Sequence, residues 1–183
     1  MAMAPAAWLV QHASLLPRSG DALDLACGRG RHAIWLADRG LRVRAVDRDA
    51  TAIAAVRESA QQGGLNIDAQ VVDLEAADFS VGAVSLGDAA FDVIVGIHYL
   101  HRPLFPAIRN ALRPGGIVVY ETFTVAQARR GRPTNPAFLL TPGELIELIA
   151  PPAGPLVVLD SREGVYDDRD VASIVARRSR ESD

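Results

Sequence analysis

The sequence predicts an α/β fold: a doubly wound, mostly parallel sheet of seven strands that ends in an antiparallel hairpin. Three observations carry this expectation. Short apolar runs alternate with stretches of helical period along most of the 183 residues, as crossover connections between parallel strands require. The run from Ala22 to His32, Ala-Leu-Asp-Leu-Ala-Cys-Gly-Arg-Gly-Arg-His, is an apolar strand that breaks into a glycine turn and opens a helix. Near the C-terminus about ten residues separate the apolar runs Leu156–Asp160 and Val171–Ala176; that is too short for a helical crossover, so these two strands should pair antiparallel.

Taken in order, strands are expected at about 21–26, 42–47, 68–73, 91–97, 115–121, 155–161 and 170–177, with helices at about 31–39, 50–62, 103–112 and 141–149. Arg113-Pro-Gly-Gly116 reads as a turn between the third of these helices and the strand that follows. The last helix has Thr141 as its N-cap, Pro142 in its first turn and Glu144 three residues after the cap, the pattern of a capping box.

With 49% hydrophobic and 22% charged residues, the chain has apolar material for one core, and residues 1–183 read as a single domain. Within it, residues 1–20 form an N-terminal helical segment, and residues 124–140 a lid or loop on the ligand side. The formal charge of −3 argues against a general polyanion binder, so nucleic acid is not the expected partner. No apolar run approaches the ~18 residues of a membrane span, and Met1–Pro17 lacks the basic start of a signal peptide. A cytoplasmic protein is therefore expected, and one cysteine agrees with a reducing compartment. All 19 Lys+Arg residues are arginine. That removes the lysine of a Walker A loop, the Schiff-base lysine of pyridoxal phosphate enzymes and the Tyr-x-x-x-Lys pair of short-chain reductases.

The glycine turn carries the chemistry. Gly28 and Gly30 can take positive φ, which lets a ligand lie against bare main chain. Asp47 ends the next strand, where a carboxylate can accept hydrogen bonds from both hydroxyls of a ribose. Together they form a nucleotide-binding half-site. Gly28-Arg-Gly-Arg-His-Ala33 also fits the G-x-G-x-x-G/A pattern of dinucleotide binders. Asp24, four residues before the first glycine, argues for a different ligand. Its carboxylate would repel a pyrophosphate and attract an ammonium or sulfonium by a few kcal/mol at ~4 Å and an effective dielectric of about 20.

At these residues the chain resembles the class I S-adenosylmethionine-dependent methyltransferases, a Rossmann-like family whose first motif is an acidic residue followed by small residues and glycines. Ala26 stands where the family usually has the first glycine. The resemblance extends from about Asp21 to Arg178 and implies six parallel strands with a reversed seventh inserted beside the fifth. It implies S-adenosyl-L-methionine as cofactor, held by Asp24, Ala26, Cys27, Gly28, Gly30, His32, Asp47, Arg48, Asp73, Leu74, Gly96 and Ile97. In this scheme Asp73 accepts from the adenine amine, Leu74 flanks the base, and Cys27 packs behind the loop. The helix expected at about 31–39, after the loop, offers unpaired N–H groups to the cofactor carboxylate. Arg31-His-Ala after the glycines and Val71-Val-Asp-Leu74 look most like the small bacterial tellurite-resistance and thiopurine-type methyltransferases.

The fourth strand, Phe91-Asp-Val-Ile-Val-Gly-Ile97, ends in His98, Tyr99, His101 and Arg102, where the resemblance places the transferring methyl. These four are the candidates for catalysis, with His98 or His101 as general base because an ordinary imidazole titrates near neutrality. Neither an Asn/Asp-Pro-Pro-aromatic tetrapeptide nor a Pro-Cys dipeptide occurs here, which argues against amino- or C5-methylation of nucleic acid. Glu121, Arg129, Arg130, Arg132 and Tyr166 complete the expected acceptor side, with the arginines suited to an anion. The function expected is methyl transfer to a small, anionic acceptor, with no metal. The alternatives are a non-catalytic cofactor-binding partner subunit, or a nicotinamide-dependent oxidoreductase, which would leave Asp24 and the terminal hairpin unexplained. The oligomeric state and the acceptor atom are not legible.

Overall fold

The computed structural model describes residues 4–76 and 86–180. Seven strands form one sheet in the order β3-β2-β1-β4-β5-β7-β6. They are β1 (Asp21–Leu25), β2 (Arg42–Asp47), β3 (Ile67–Val71), β4 (Phe91–Ile97), β5 (Leu112–Phe123), β6 (Leu156–Tyr166) and β7 (Arg169–Arg178). The helices are α1 (Ala7–Gln11), α2 (Arg31–Asp38), α3 (Ala50–Gly63), α4 (Phe105–Ala111) and α5 (Glu144–Ile149). Strands β1 to β5 run parallel, and β7 is inserted antiparallel between β5 and β6. The reversed strand beside the fifth is the arrangement the resemblance implied.

Both faces of the sheet are covered, as its central strands demand: they are apolar at consecutive positions rather than alternate ones. Leu23, Leu25, Ile94, Val118, Tyr120 and Ile174 point to the face packed by α4 and α5. Their neighbours Ala22, Val93, Val95, Val119 and Val175 point to the face packed by α1, α2 and α3. The N-terminal segment is a short helix and a 3₁₀ turn at Ala13–Leu15. Trp8 is buried and donates from its indole to the Ile174 carbonyl at 3.3 Å, which docks α1 on the sheet face.

Four boundaries differ from the expectation, each for a local reason. Arg113–Gly116 is not a free turn. Phe91 pairs with Leu112 and Val93 with Ile117, so the segment bulges within β5, with Gly115 at φ 81°. The C-terminal hairpin is longer than expected because its turn is only Asp167-Asp168, at φ 49° and 59°, a left-handed pair that aspartate tolerates. The helix near 141 begins at Glu144, after Gly143 at φ 77°. Half of the capping box forms: the Thr141 amide donates to Glu144 Oε2 at 2.8 Å, whereas Gly143 stands before the first helical residue. Strand β3 stops at Val71, so Asp73 lies in the loop beyond it.

Candidate active site

All of the site-forming loops leave the carboxyl ends of the parallel strands, the edge at which open α/β sheets hold ligands. β1 delivers the turn Ala26–Gly30, with Ala26 at φ 50°, Gly28 at 54° and Gly30 at 79°. The two glycines do different work. A Cβ at Gly28 would meet nothing within 4 Å, so the main chain there faces open space, whereas a Cβ at Gly30 would lie 2.8 Å from Val56 Cγ2. Gly30 therefore lets α2 lie close to α3, and Gly28 leaves room for a ligand.

Asp47 locks this turn from the neighbouring strand. Its Oδ2 accepts from the Gly28 amide at 2.8 Å and its Oδ1 from the Asp49 amide at 2.9 Å. Each oxygen keeps a second lone pair for a ribose hydroxyl. Asp47, Arg48, Val72, Asp73, Leu74 and Glu75 form one wall of a cleft of about 510 Å³. Asp73 is held by its own loop, its Oδ1 accepting from the Glu75 amide at 3.0 Å. Ala26 and His98 are shared between this cleft and a neighbouring hollow of about 660 Å³ lined by Cys27, Gly28, Arg31, His32 and Ile97. The cleft and the hollow thus meet at Ala26 and His98, and the groove they form is lined by the expected donor-side residues apart from Asp24, Gly30 and Gly96.

Asp24 lies beneath the groove, fully buried. Its Oδ2 accepts from the Ala33 amide at 2.9 Å and fixes the start of α2, while Oδ1 has no partner among the described residues. Burial pushes the carboxyl up to about 7. His32 Nδ1 is 3.8 Å away, and burial, with a smaller repulsion from Arg31 and His98, pulls that imidazole down to about 3. A buried carboxylate with a vacant oxygen beside a neutral histidine suits a cationic ligand and disfavours a phosphate. Cys27 is buried, and burial drives its thiol pKa far up, so it fills space behind the loop. Gly96 is also buried, and a Cβ there would come within 2.2 Å of the Tyr120 ring. It serves the packing of β4 on β5 and leaves the cleft wall to its neighbour Ile97.

The end of β4 supplies the opposite wall. His98 sits in the left-handed region at φ 60°, its amide donating to the Glu121 carbonyl at 2.7 Å and its ring stacked on Phe123 at 4.7 Å. Burial, with the nearby charges of Arg169 and Arg31, lowers its pKa to about 4, so the imidazole is neutral near neutral pH. Tyr99 lines the same cleft, and its buried hydroxyl has no partner among the described residues.

The other acceptor-side expectations separate. Arg132 lines the cleft with Pro133 and Phe138. Arg102 does not: its guanidinium is spent on Glu144 at 2.5 and 3.0 Å and on the carbonyls of Ala137 and Leu139, both at 2.9 Å. Arg130 pairs with Asp170, and exposed Arg129 is not part of the cleft wall. His101 also lies outside the wall. Glu121 is buried and accepts from Ser173 Oγ at 2.7 Å and Arg162 at 3.3 Å, with His98 Nε2 3.9 Å away. Tyr166 lies 3.7 Å from the Arg162 guanidinium, outside the cleft. Sequence reasoning missed Arg169, which reaches His98 Nε2 at 3.5 Å. The pointer was topological: a reversed last strand brings the hairpin tip to the ligand edge.

An adenosine-bearing cation fits these residues: backbone left open at Gly28, carboxylates at Asp47 and Asp73, and a vacant buried oxygen on Asp24. Comparison with known proteins agrees. Residues 22–116, just over half of the chain, match the family model described as a methyltransferase domain. The ribosomal RNA small subunit methyltransferase C of Chromohalobacter salexigens is 35% identical over 113 residues, covering 56% of this chain and 31% of the relative. The ubiquinone biosynthesis O-methyltransferase of Idiomarina loihiensis is 32% identical over 108 residues, covering 55% and 41%. The chain thus spans well under half the length of these two relatives. An S-adenosylmethionine-dependent methyltransferase from Mesorhizobium loti superposes with a TM-score of 0.73 at 18% identity, over 94% of this chain and 98% of that one, which is a likeness of fold. The matched domain, the strand order and the cleft agree: the chain belongs to the class I S-adenosylmethionine-dependent methyltransferase family, with S-adenosyl-L-methionine as its cofactor.

Proposed function

We propose that this chain transfers the methyl group of S-adenosylmethionine to a small-molecule acceptor bound between the end of β4 and the segment 124–140. The observation that carries this reading is the form of the acceptor side. The cleft of about 510 Å³, whose near wall is left to the nucleoside, is closed on its far side by Arg132, Pro133 and Phe138, on a segment strapped down by Arg102 through Ala137 and Leu139. Such a strapped, concave site suits a ligand of small-molecule size more than a nucleic-acid helix. The name of the Idiomarina relative points the same way.

The cofactor, when bound, supplies an electrophilic methyl on a sulfonium, so the chain's own work is mainly alignment and removal of water. Asp47 and Asp73 hold the nucleoside end. Asp24 favours positive charge above the glycine turn. Neutral His98 is the group able to take a proton from an O–H, N–H or S–H acceptor. Arg132 and Phe138 shape the far wall.

Calorimetry is the first test: S-adenosylhomocysteine should bind and NAD should not. Release of S-adenosylhomocysteine is then measured with a panel of small oxygen, nitrogen and thiol acceptors, with ribosomal RNA as the comparison. Turnover confined to the RNA would refute the small-molecule reading.

A further inference from the structure

Arg169 is the first residue of β7, outside the segment that matches the family model. Because β7 runs antiparallel to β5, pairing Phe123 with Val171, its beginning projects past the carboxyl end of β5 toward the ligand edge. The residue beside it is firmly anchored. Asp170 takes the Arg130 guanidinium, its amide donates to Gln127 Oε1 at 2.8 Å, and its carbonyl accepts from the Thr124 amide at 3.0 Å. Side chains alternate along a strand, so Asp170 is consumed by the segment 124–130 while Arg169 points the other way, toward His98.

Arg169 has no carboxylate partner among the described residues, although Asp167 and Asp168 form the adjoining turn. Its guanidinium makes one hydrogen-bond contact among the described residues, to His98 Nε2 at 3.5 Å, long enough to be broken cheaply. Arg31, the first residue of α2, lines the hollow that also contains His98. It makes only a 3.5 Å approach to the Ala4 carbonyl, and it too lacks an ion pair among the described residues. Arg169 by contact and Arg31 from the neighbouring hollow therefore act on one neutral imidazole, which stands where the cleft and that hollow meet. The aromatic and apolar surface of Phe123 and Phe138 lies beside it. Guanidinium groups left unpaired at a concave site are receptors for oxyanions, which they bind through forked hydrogen bonds.

We infer that Arg169, with Arg31 behind it, forms an oxyanion-recognition site beside His98, and that the acceptor carries a carboxylate or similar oxyanion close to the atom that is methylated. This rests on the small-molecule reading above and names its substrate class. Drawing Arg169 onto the oxyanion would also release the Nε2 lone pair in the Nδ1-protonated tautomer, which frees the proton acceptor only when such a substrate is present.

The test needs no known acceptor. Benzoate, phenylphosphonate and uncharged benzamide are titrated by calorimetry into the protein saturated with S-adenosylhomocysteine. The two anions should bind more tightly than benzamide. Arg169→Ala should weaken both by at least about tenfold, the scale of one charge-assisted pair, and leave benzamide and S-adenosylhomocysteine unchanged. Arg177→Ala, at the other end of β7, removes the same charge and should change none of the four ligands by more than about twofold. Anions that bind no better than benzamide, or equally well after Arg169→Ala, overturn the inference. Weakened S-adenosylhomocysteine binding in that variant also overturns it, because Arg169 would then serve the cofactor carboxylate. Intact anion binding with no turnover of any small acceptor would instead refute the proposed reaction.

Discussion

The two halves of the sheet build their side of the site in different ways. From β1 to β3 the site is made of backbone, with a turn at positive φ and amides bonded to Asp47, and of carboxylates near the strand ends: Asp24 within β1, Asp47 closing β2 and Asp73 just beyond β3. From β4 to β7 it is made of side chains paired across long sequence separations, such as Arg102 with Glu144, Arg130 with Asp170 and Arg162 with Glu121. A nucleoside is the same in every enzyme that uses it, so backbone geometry suffices to hold it. An acceptor differs from enzyme to enzyme, and side chains on connections are the part that can vary without disturbing the sheet.

The largest effect is expected on the backbone-built side. Asp47→Ala removes the carboxylate proposed to accept from the ribose and also frees the Gly28 and Asp49 amides, so cofactor affinity should fall by about 2–3 kcal/mol, on the order of a hundredfold. Calorimetry with S-adenosylhomocysteine measures it, alongside circular dichroism to show that the variant is folded. A dissociation constant within about twofold of the parent would mean that Asp47 only fastens the turn.

Gly96→Ala tests the seam between the halves. The new methyl would sit 2.2 Å from the Tyr120 ring, and Tyr120 is pinned by its hydroxyl to the Tyr99 carbonyl at 2.9 Å. Overpacking of this kind costs about 1–3 kcal/mol, read as a lower urea midpoint. Because Tyr99 lines the cleft, the substitution should also weaken cofactor binding. If stability falls and binding does not, the two halves are less coupled than the Tyr120–Tyr99 contact indicates.

The contrast also explains what was legible in the sequence. The glycine turn at Gly28, the place of Asp47 at the end of β2 and the reversed last strand were readable because each follows from local spacing or from the length of a connection, whereas Asp73 came from the family resemblance and lies beyond the strand expected to carry it. Arg102 and Arg130 were misjudged because an arginine's partner is not local. Glu144 lies 42 residues from Arg102, and only the fold brings the two together. Arg169 escaped notice for the converse reason, since nothing near it in sequence marks it as unpaired. The bulge at Gly115 was mistaken for a turn because the same Pro-Gly-Gly composition serves both.

Arg102→Ala sharpens the comparison from the side-chain-built half. The arginine is partly exposed and its ion pair is screened, so the loss of stability should be about 1 kcal/mol. The residues that depend on it are local, however. The Ala137 and Leu139 carbonyls lose their donors, and limited proteolysis should cut within 124–140 several times faster than in the parent. Cofactor affinity should stay within about twofold, since Asp47 and Asp73 lie on the other wall and Asp24 beneath the groove. Protection of this segment that is unchanged by the substitution would show that Gln127 and Arg130, both held on Asp170, keep it in place without Arg102.

The smallest effect around neutrality is on the pH dependence of turnover at saturating cofactor, which should be nearly absent there. Because His98 is held down to about 4 from an ordinary 6.5, its neutral form is favoured by folding. The stability this contributes is complete above about 6.5, and is lost as pH falls from there through about 4. Turnover limited by His98 as the base should therefore be level across neutral pH and decline only on the acid side, with its midpoint well below that of a free imidazole. Asp24 adds a second acid-side signature at higher pH, on the donor side alone. A carboxyl raised to about 7 must lose its proton to favour a cation, so cofactor affinity should weaken below pH 7 by up to about tenfold per unit. Asp24→Asn should abolish that slope and leave the acid limb of turnover, measured at saturating cofactor, in place. His98→Asn should do the reverse. If one substitution removes both pH dependences, the two walls titrate as a single unit, and the division between a backbone-built donor side and a side-chain-built acceptor side does not extend to their protons.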